Sequence, residues 1–174
     1  MDLQQRIDDL WTDLKSGDID VIIKHFATDG FICLPKTTAN CIIPFTGKYE
    51  GHQRIRQFFE LRDATIQTTI STIESISHHT STVFLNVKTQ GNCNESGVGY
   101  LIDDLNVLKF NTAHHISEWT IYADLSELIE ALKDGLPQQL LGAVTANDVN
   151  AVKQYLTMGA DPNTRDISTG LTVL

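Results

Sequence analysis

The chain has 174 residues, is 41% hydrophobic and 20% charged, and carries a formal net charge of -9. That composition is ordinary for a globular protein, and the length accommodates one full domain with a small appendage. The acidic balance and the lack of any Lys/Arg run argue against a nucleic-acid partner or an anionic membrane surface.

Cys33, Cys41 and Cys93 are an odd, widely spaced set with no C-x-x-C, which points to reduced thiols and a cytoplasmic setting rather than a disulfide framework. The opening MDLQQRIDDLW alternates charged and apolar residues, unlike a signal peptide. No apolar run approaches the ~20 residues of a membrane span. No cofactor is expected.

In chain order, Leu3, Ile7, Leu10, Trp11 and Leu14 form one helical stripe, and Gly17 is placed to stop that helix. Asp18 is the expected N-cap of a second helix with Ile19, Ile22, Ile23 and Phe26 on one face. Phe31–Leu34 reads as a short strand ended by Pro35, followed by loop to Ile43. Gly47 and Gly51 bracket a short extended piece, and a third helix turns Ile55, Phe58 and Phe59 inward.

The Thr- and Ile-rich stretch Thr68–Ser77 has strand composition but irregular isoleucine spacing, which a bulge between Ile70 and Ile73 would reconcile. From Ser81 to Gln90, Val83, Leu85 and Val87 alternate with Phe84, Asn86 and Lys88. The turn GNCNESG follows. VGYLIDDLNVLKF, NTAHH and ISEWTIYAD then read as two long strands around a turn.

On the first of these strands Tyr100, Ile102, Asp104, Asn106, Leu108 and Phe110 share a face. On the second, Ser117, Trp119, Ile121 and Ala123 do. Two polar groups among bulky apolar neighbours describe a pocket floor. Asp124-x-x-Glu127 reads as a capping box for a helix ending near Gly135. The fold class is α+β, with helices packed on one face of a curved antiparallel sheet.

Three stretches taken together resemble the nuclear transport factor 2-like superfamily, more narrowly its SnoaL-like group, which is named for polyketide cyclases and related to ketosteroid isomerase. They are SGDIDVIIKHFATDGFI, IPFTGKYEGHQRIRQFF, and I-x-E-x-x-x-Y-x-D at Ile116–Asp124. The resemblance implies a cone: a bent sheet wrapped around helices, with an open mouth leading to an apolar cavity.

It also locates the ketosteroid isomerase positions. The carboxylate base falls on Leu34, the helix-1 tyrosine on Leu10, the supporting tyrosines on Phe26 and Phe59, and the oxyanion aspartate on Asn106. With hydrocarbon at the base and phenol positions, that isomerisation is not expected. The cyclases place an acid and a histidine in the cavity, which here correspond to Asp104 and to His25.

Asp104 is therefore the candidate acid or base, with a pKa raised by an apolar cavity; alternatively it is a rim carboxylate, solvated or bonded to a backbone amide. Asn106 and Trp119 read as a ligand-orienting pair, with Leu10, Phe26, Leu34, Phe59, Tyr100 and Ile121 around them, or else as a core tryptophan beside a satisfied amide. Leu101, Leu105, Val107 and Tyr122 on the opposite face fit a homodimer interface, or are scattered surface apolars. The pairs His78-His79 and His114-His115 fall in turns at one end of the sheet, but adjacent strand residues point oppositely, and no metal site is expected.

From about residue 134 the text changes. Leu140-Leu141-x-Ala143, Asn147-Asp148, Val152 to Leu156, Gly159-Ala160-Asp161-Pro162-Asn163 and Gly170 to Leu174 resemble the ankyrin repeat and its continuation. The expected organisation is a cone domain over 1–133 and an ankyrin-type helical hairpin over 134–174, available to a protein partner. One repeat cannot bury its own apolar face. Leu140, Val144, Val152 and Leu156 must then dock on the cone domain or its dimer mate, or belong to a longer array. Three functions stay open: a small-molecule-binding module, a cyclase, isomerase or hydrolase using Asp104, or a structural association domain.

Overall fold

The computed structural model describes residues 3–38, 40–166, 170 and 172. Helix α1 spans Leu3–Ser16 and buries Ile7, Leu10 and Trp11 along one stripe. Gly17, at φ 72°, ends it in the left-handed region that favours glycine. Asp18 then accepts hydrogen bonds from the backbone N–H groups of Asp20 and Val21, which starts α2.

Helix α2 is shorter than the apolar spacing predicts. It covers Ile19–Ile22, passes into a 3-10 turn at Ile23–His25, and gives way to strand β1 at Phe26–Leu34. Phe26, expected on the helix face, instead pairs in parallel with Ile116. A partner ninety residues away thus overrides the local period.

The remaining elements are β2 (Gly47–Glu50), α3 (His52–Thr65), β3 (Ile66–His79), β4 (Thr82–Cys93), β5 (Gly99–Phe110), β6 (Ile116–Ala123), α4 (Ser126–Lys133), α5 (Leu136–Thr145) and α6 (Val149–Thr157). The six strands form one sheet in the order β2-β1-β6-β5-β4-β3. Among the described residues only the β1–β6 pairing is parallel. The sheet curves around α1 and α3, the α+β arrangement the sequence predicts.

Several local expectations are corrected. The register of β3 shifts at Thr68/Ile70 and at Ile73/Ser75, so two bulges lie outside the predicted Ile70–Ile73 interval. Cys93 closes β4 rather than lying in a loop. A register shift between Lys109 and Phe110 leaves Ser117 bulged out, its hydroxyl donating to the Lys109 carbonyl, and turns Ile116 inward. The N-cap of α4 is Leu125 rather than Asp124, which lies one residue earlier and accepts from the Ser126 N–H at 3.0 Å, and Glu127 does not close the box. Its carboxylate accepts the Leu101 N–H at 2.9 Å, on a stretch of β5 that β6 does not reach.

Gly91 sits where β3 and β5 crowd β4. A Cβ there would collide with the Gln67 carbonyl oxygen and lie 2.7 Å from the Tyr100 hydroxyl. That hydroxyl is 3.2 Å from Thr68 Oγ1 beside the first bulge. Gly91→Ala is expected to cost about 1–3 kcal/mol through overpacking. Urea unfolding checks it, and an unchanged midpoint contradicts the crowding.

After the sheet, Leu128 and Ala131 of α4 and Leu136 and Leu140 of α5 join the same buried cluster as the strand residues. Helix α6 has no buried side chain and leaves Val149 63% exposed. Between them Asn147 takes φ 55°, and Asp148 caps α6 by accepting from the N–H groups of Asn150 and Ala151. Gly159 follows α6 at φ 99°, and Asp161 accepts the Asn163 N–H at 2.8 Å. Of the predicted Gly170–Leu174 motif, Gly170 and Thr172 are described; the other three positions lie outside the described residues.

Candidate functional site

The concave side of the sheet, α1, α3 and the start of α4 enclose a cavity of about 980 Å3. Alternation on β5 aims Ile102, Asp104 and Asn106 at it; alternation on β6 brings Trp119, Ile121 and Ala123. Strand β4 adds Val87 and Thr89, and β1 adds Ile32 and Leu34. Helix α3 contributes Phe58, Phe59 and Arg62, and α1 contributes Trp11 and Leu14. The exposed members of the lining, among them Lys15, Gly17, Ile70 and Thr72, make the rim between the end of α1 and β3.

Cross-strand register builds the polar centre. Asn106 faces Ile121, which places Trp119 diagonally across from it, and Asp104 is two residues back on the same face. The Trp119 indole N–H donates to Asn106 Oδ1 at 2.7 Å. An indole nitrogen only donates, so the amide oxygen is fixed toward it and the NH2 group is left to face Asp104. Asn106 Nδ2 donates to Asp104 Oδ1. The Thr89 side chain is also hydrogen-bonded to Asp104.

Burial drives the Asp104 carboxyl up from 3.8 to about 7, against the hydrogen bonds from Asn106 and Thr89, which lower it; the nearby Asp103 raises it further. At neutral pH the group is divided between acid and carboxylate. It can give or take a proton, or serve as a charge. Trp119 is held from behind by Phe26, stacked at 6.0 Å, and by Trp11 at 6.2 Å.

The predicted site residues divide into two groups. Asp104, Asn106, Trp119, Leu34, Phe59 and Ile121 lie together on the cavity wall. Leu10, Phe26 and Tyr100 do not. Leu10 is fully buried under α1, Phe26 is screened by the Trp119 ring, and the Tyr100 hydroxyl is turned to Thr68.

His25 is also outside the lining: its Nε2 is 2.6 Å from Asp13 Oδ2, in the 3-10 turn that follows α2. This contact with α1 takes the ring away from Asp104, so the expected acid–histidine couple is not assembled. Leu34, Leu10, Phe26 and Phe59, which the sequence resemblance sets at the ketosteroid isomerase base and phenol positions, are buried hydrocarbons.

Sequence reasoning missed Thr89 and Arg62. Both were within reach, since Thr89 continues the Val83-Leu85-Val87 face and Arg62 the Ile55-Phe58-Phe59 stripe. Arg62 donates to Asp63 Oδ1 at 2.8 Å and stacks over Phe59 at 4.9 Å. Among the described residues no three His, Cys, Asp or Glu side chains converge as a metal site would require. Burial pushes the Cys33 and Cys93 thiols up, so neither is an activated nucleophile.

No family model and no curated protein sequence matches the chain. Solved structures do. An NTF2-like protein of unknown function from Burkholderia pseudomallei superposes with a TM-score of 0.68 at 13% identity, over 76% of this chain and 98% of that one. TerC, co-crystallised with polyporic acid, gives 0.66 at 12% identity over 75% and 97%. A computationally designed 17-OHP binder gives 0.57 at 17% identity over 70% and 93%. At these identities the likeness is one of fold: the chain has the nuclear transport factor 2-like fold.

Proposed function

We propose that this nuclear transport factor 2-like, SnoaL-like chain binds a small organic molecule in its cone, with the ligand's polar group at Asp104 and its hydrocarbon against Trp119, Phe58 and Phe59. The observation that carries this is a cavity of about 980 Å3 in which the Trp119–Asn106–Asp104 relay lies beside the apolar side chains of Ile102, Ile121, Phe58 and Phe59. TerC and the designed binder, which carry or are built for small molecules, use the same fold.

The second reading is an enzyme of the cyclase, isomerase or hydrolase kind, with Asp104 alone as acid or base. It is favoured by a carboxyl poised at about 7. The reading gives no role to His25.

The chain in this proposal works as a homodimer. The outer face of the sheet leaves Phe84, Leu101, Leu105 and Tyr122 exposed, with Tyr122 56% accessible. In this proposal α5 and α6 are an ankyrin-type hairpin whose first helix docks on the cone domain and whose second, with Val149 outward, is offered to a protein partner. The expected setting is the cytoplasm. Among the described residues no helix is long and apolar enough to cross a membrane.

Native mass spectrometry of freshly purified protein tests ligand and subunit count together. The expected result is a dimer carrying an organic molecule that is lost on denaturation. A ligand-free spectrum, with tryptophan emission unchanged across a library of apolar small molecules, contradicts the binding function; a monomer contradicts the dimer.

A further inference from the structure

We infer that the cavity takes an apolar organic cation, a tertiary or quaternary amine whose charged centre pairs with Asp104 and whose hydrocarbon rests on the aromatic wall. The inference rests on the small-molecule reading above and names the chemical class of the ligand.

Four observations lead to it. First, the hydrogen-bond relay runs one way. Trp119 donates to Asn106, and Asn106 donates to Asp104. A chain of donors that ends on an acceptor supports the carboxylate form and leaves a lone pair for a donor from the cavity.

Second, that carboxylate has no counter-ion among the described residues. Among the described residues no Lys, Arg or His nitrogen pairs with Asp104. On its own strand, Asp103 faces the outside, where it lies 3.5 Å from Lys88 of β4. From α3, Arg62 is committed to Asp63 at 2.7 Å. From α1, Lys15 lies exposed on the rim. From β6, the residue opposite Asp104 is Ala123. Burial with neutral donors alone leaves the carboxylate under-compensated, which is the cause of its raised pKa.

Third, the wall suits a cation. Trp11, Trp119, Phe58 and Phe59 line the space, and the Arg62 guanidinium already lies 4.9 Å over the Phe59 ring. Aromatic faces attract cations, most strongly where water is excluded. Fourth, the chain's net charge of -9 raises the local concentration of cations and repels anions.

The test uses a matched pair of probes, acetylcholine and its uncharged isostere 3,3-dimethylbutyl acetate. The chain has two tryptophans, and both line the cavity, so intrinsic emission reports occupancy. At pH 8 the cation is expected to bind at least about tenfold tighter than the isostere, the gain of a desolvated cation–π and charge contact. Its affinity is expected to fall about sevenfold between pH 8 and pH 5.5, toward that of the isostere, as a carboxyl with a midpoint near 7 takes up its proton. Asp104→Asn is expected to abolish the preference while the isostere still binds. An isostere that binds as tightly as the cation, or a preference that survives Asp104→Asn, overturns the amine and leaves the cavity reading standing. Failure of both probes into the millimolar range, together with failure of the wider library above, removes the binding function and the inference with it.

Discussion

Replacing Asp104 with asparagine is expected to stabilise the protein at pH 8 and to leave it nearly unchanged at pH 4. The folded carboxyl titrates at about 7 and the free one at 3.8, with burial as the cause. Between those values the folded chain holds a proton that the unfolded chain has released. Stability contributed by this group is therefore full below about pH 4, declines as pH rises toward 7, and is flat above. Most paired carboxylates act the other way, so the wild-type curve alone would mix the two. The difference between wild type and Asp104→Asn isolates the one group. It should grow by about 2–4 kcal/mol from pH 4 to pH 8; the upper figure is the full linkage, and the lower allows for the side chain's remaining contact with solvent. Urea unfolding of both proteins across that range reads it directly. Parallel stability curves would mean that Asp104 is solvated.

Asn106→Leu is the second large effect, in the opposite direction. Asn106 is 3% exposed and bonds at both ends of its amide. Leucine repeats the branching of the amide, and its greater bulk has the adjoining cavity to expand into, so little of the cost is packing. The Trp119 N–H loses its acceptor and Asp104 loses a donor, both in a part of the protein that water reaches poorly. An unsatisfied buried donor costs about 1–3 kcal/mol, and the carboxylate adds to that where it is ionised. The variant should lose about 2–4 kcal/mol at pH 8 and less at pH 5, where Asp104 is mostly protonated. Adding Trp119→Phe to Asn106→Leu should return part of the loss by removing the orphaned N–H. A single variant within about 0.5 kcal/mol of wild type would show that the relay stabilises nothing.

The centre of the site was legible because β5 and β6 are regular strands. Period two puts Asp104 and Asn106 on one face of β5 and Trp119 on one face of β6, and the register between the strands joins the two on the concave side. Gly17 and Asp18 were equally readable, since a left-handed glycine and a capping aspartate act within a few residues. Interactions between distant parts of the chain were not readable in this way. Phe26 continued an apolar helical stripe, yet parallel pairing with Ile116 draws it into β1. Ser117 had the right parity for the pocket, and a bulge set by the pairing with Lys109 removed it. Glu127 had capping-box spacing, but a free N–H on Leu101 competes for its carboxylate. His25 was a cavity candidate by resemblance, and Asp13, twelve residues earlier, holds it elsewhere. For Phe26, Ser117 and Glu127 a local rule gave way to a partner brought close by the assembled sheet and helices.

The account depends on one carboxyl group being withdrawn from water on the wall of an accessible hollow. A carbon-detected NMR titration of the side-chain carboxyl of Asp104, assigned by comparison with Asp104→Asn, measures this most directly. The expected midpoint is near 7. A midpoint near 4, in the ordinary carboxylate range, would contradict it.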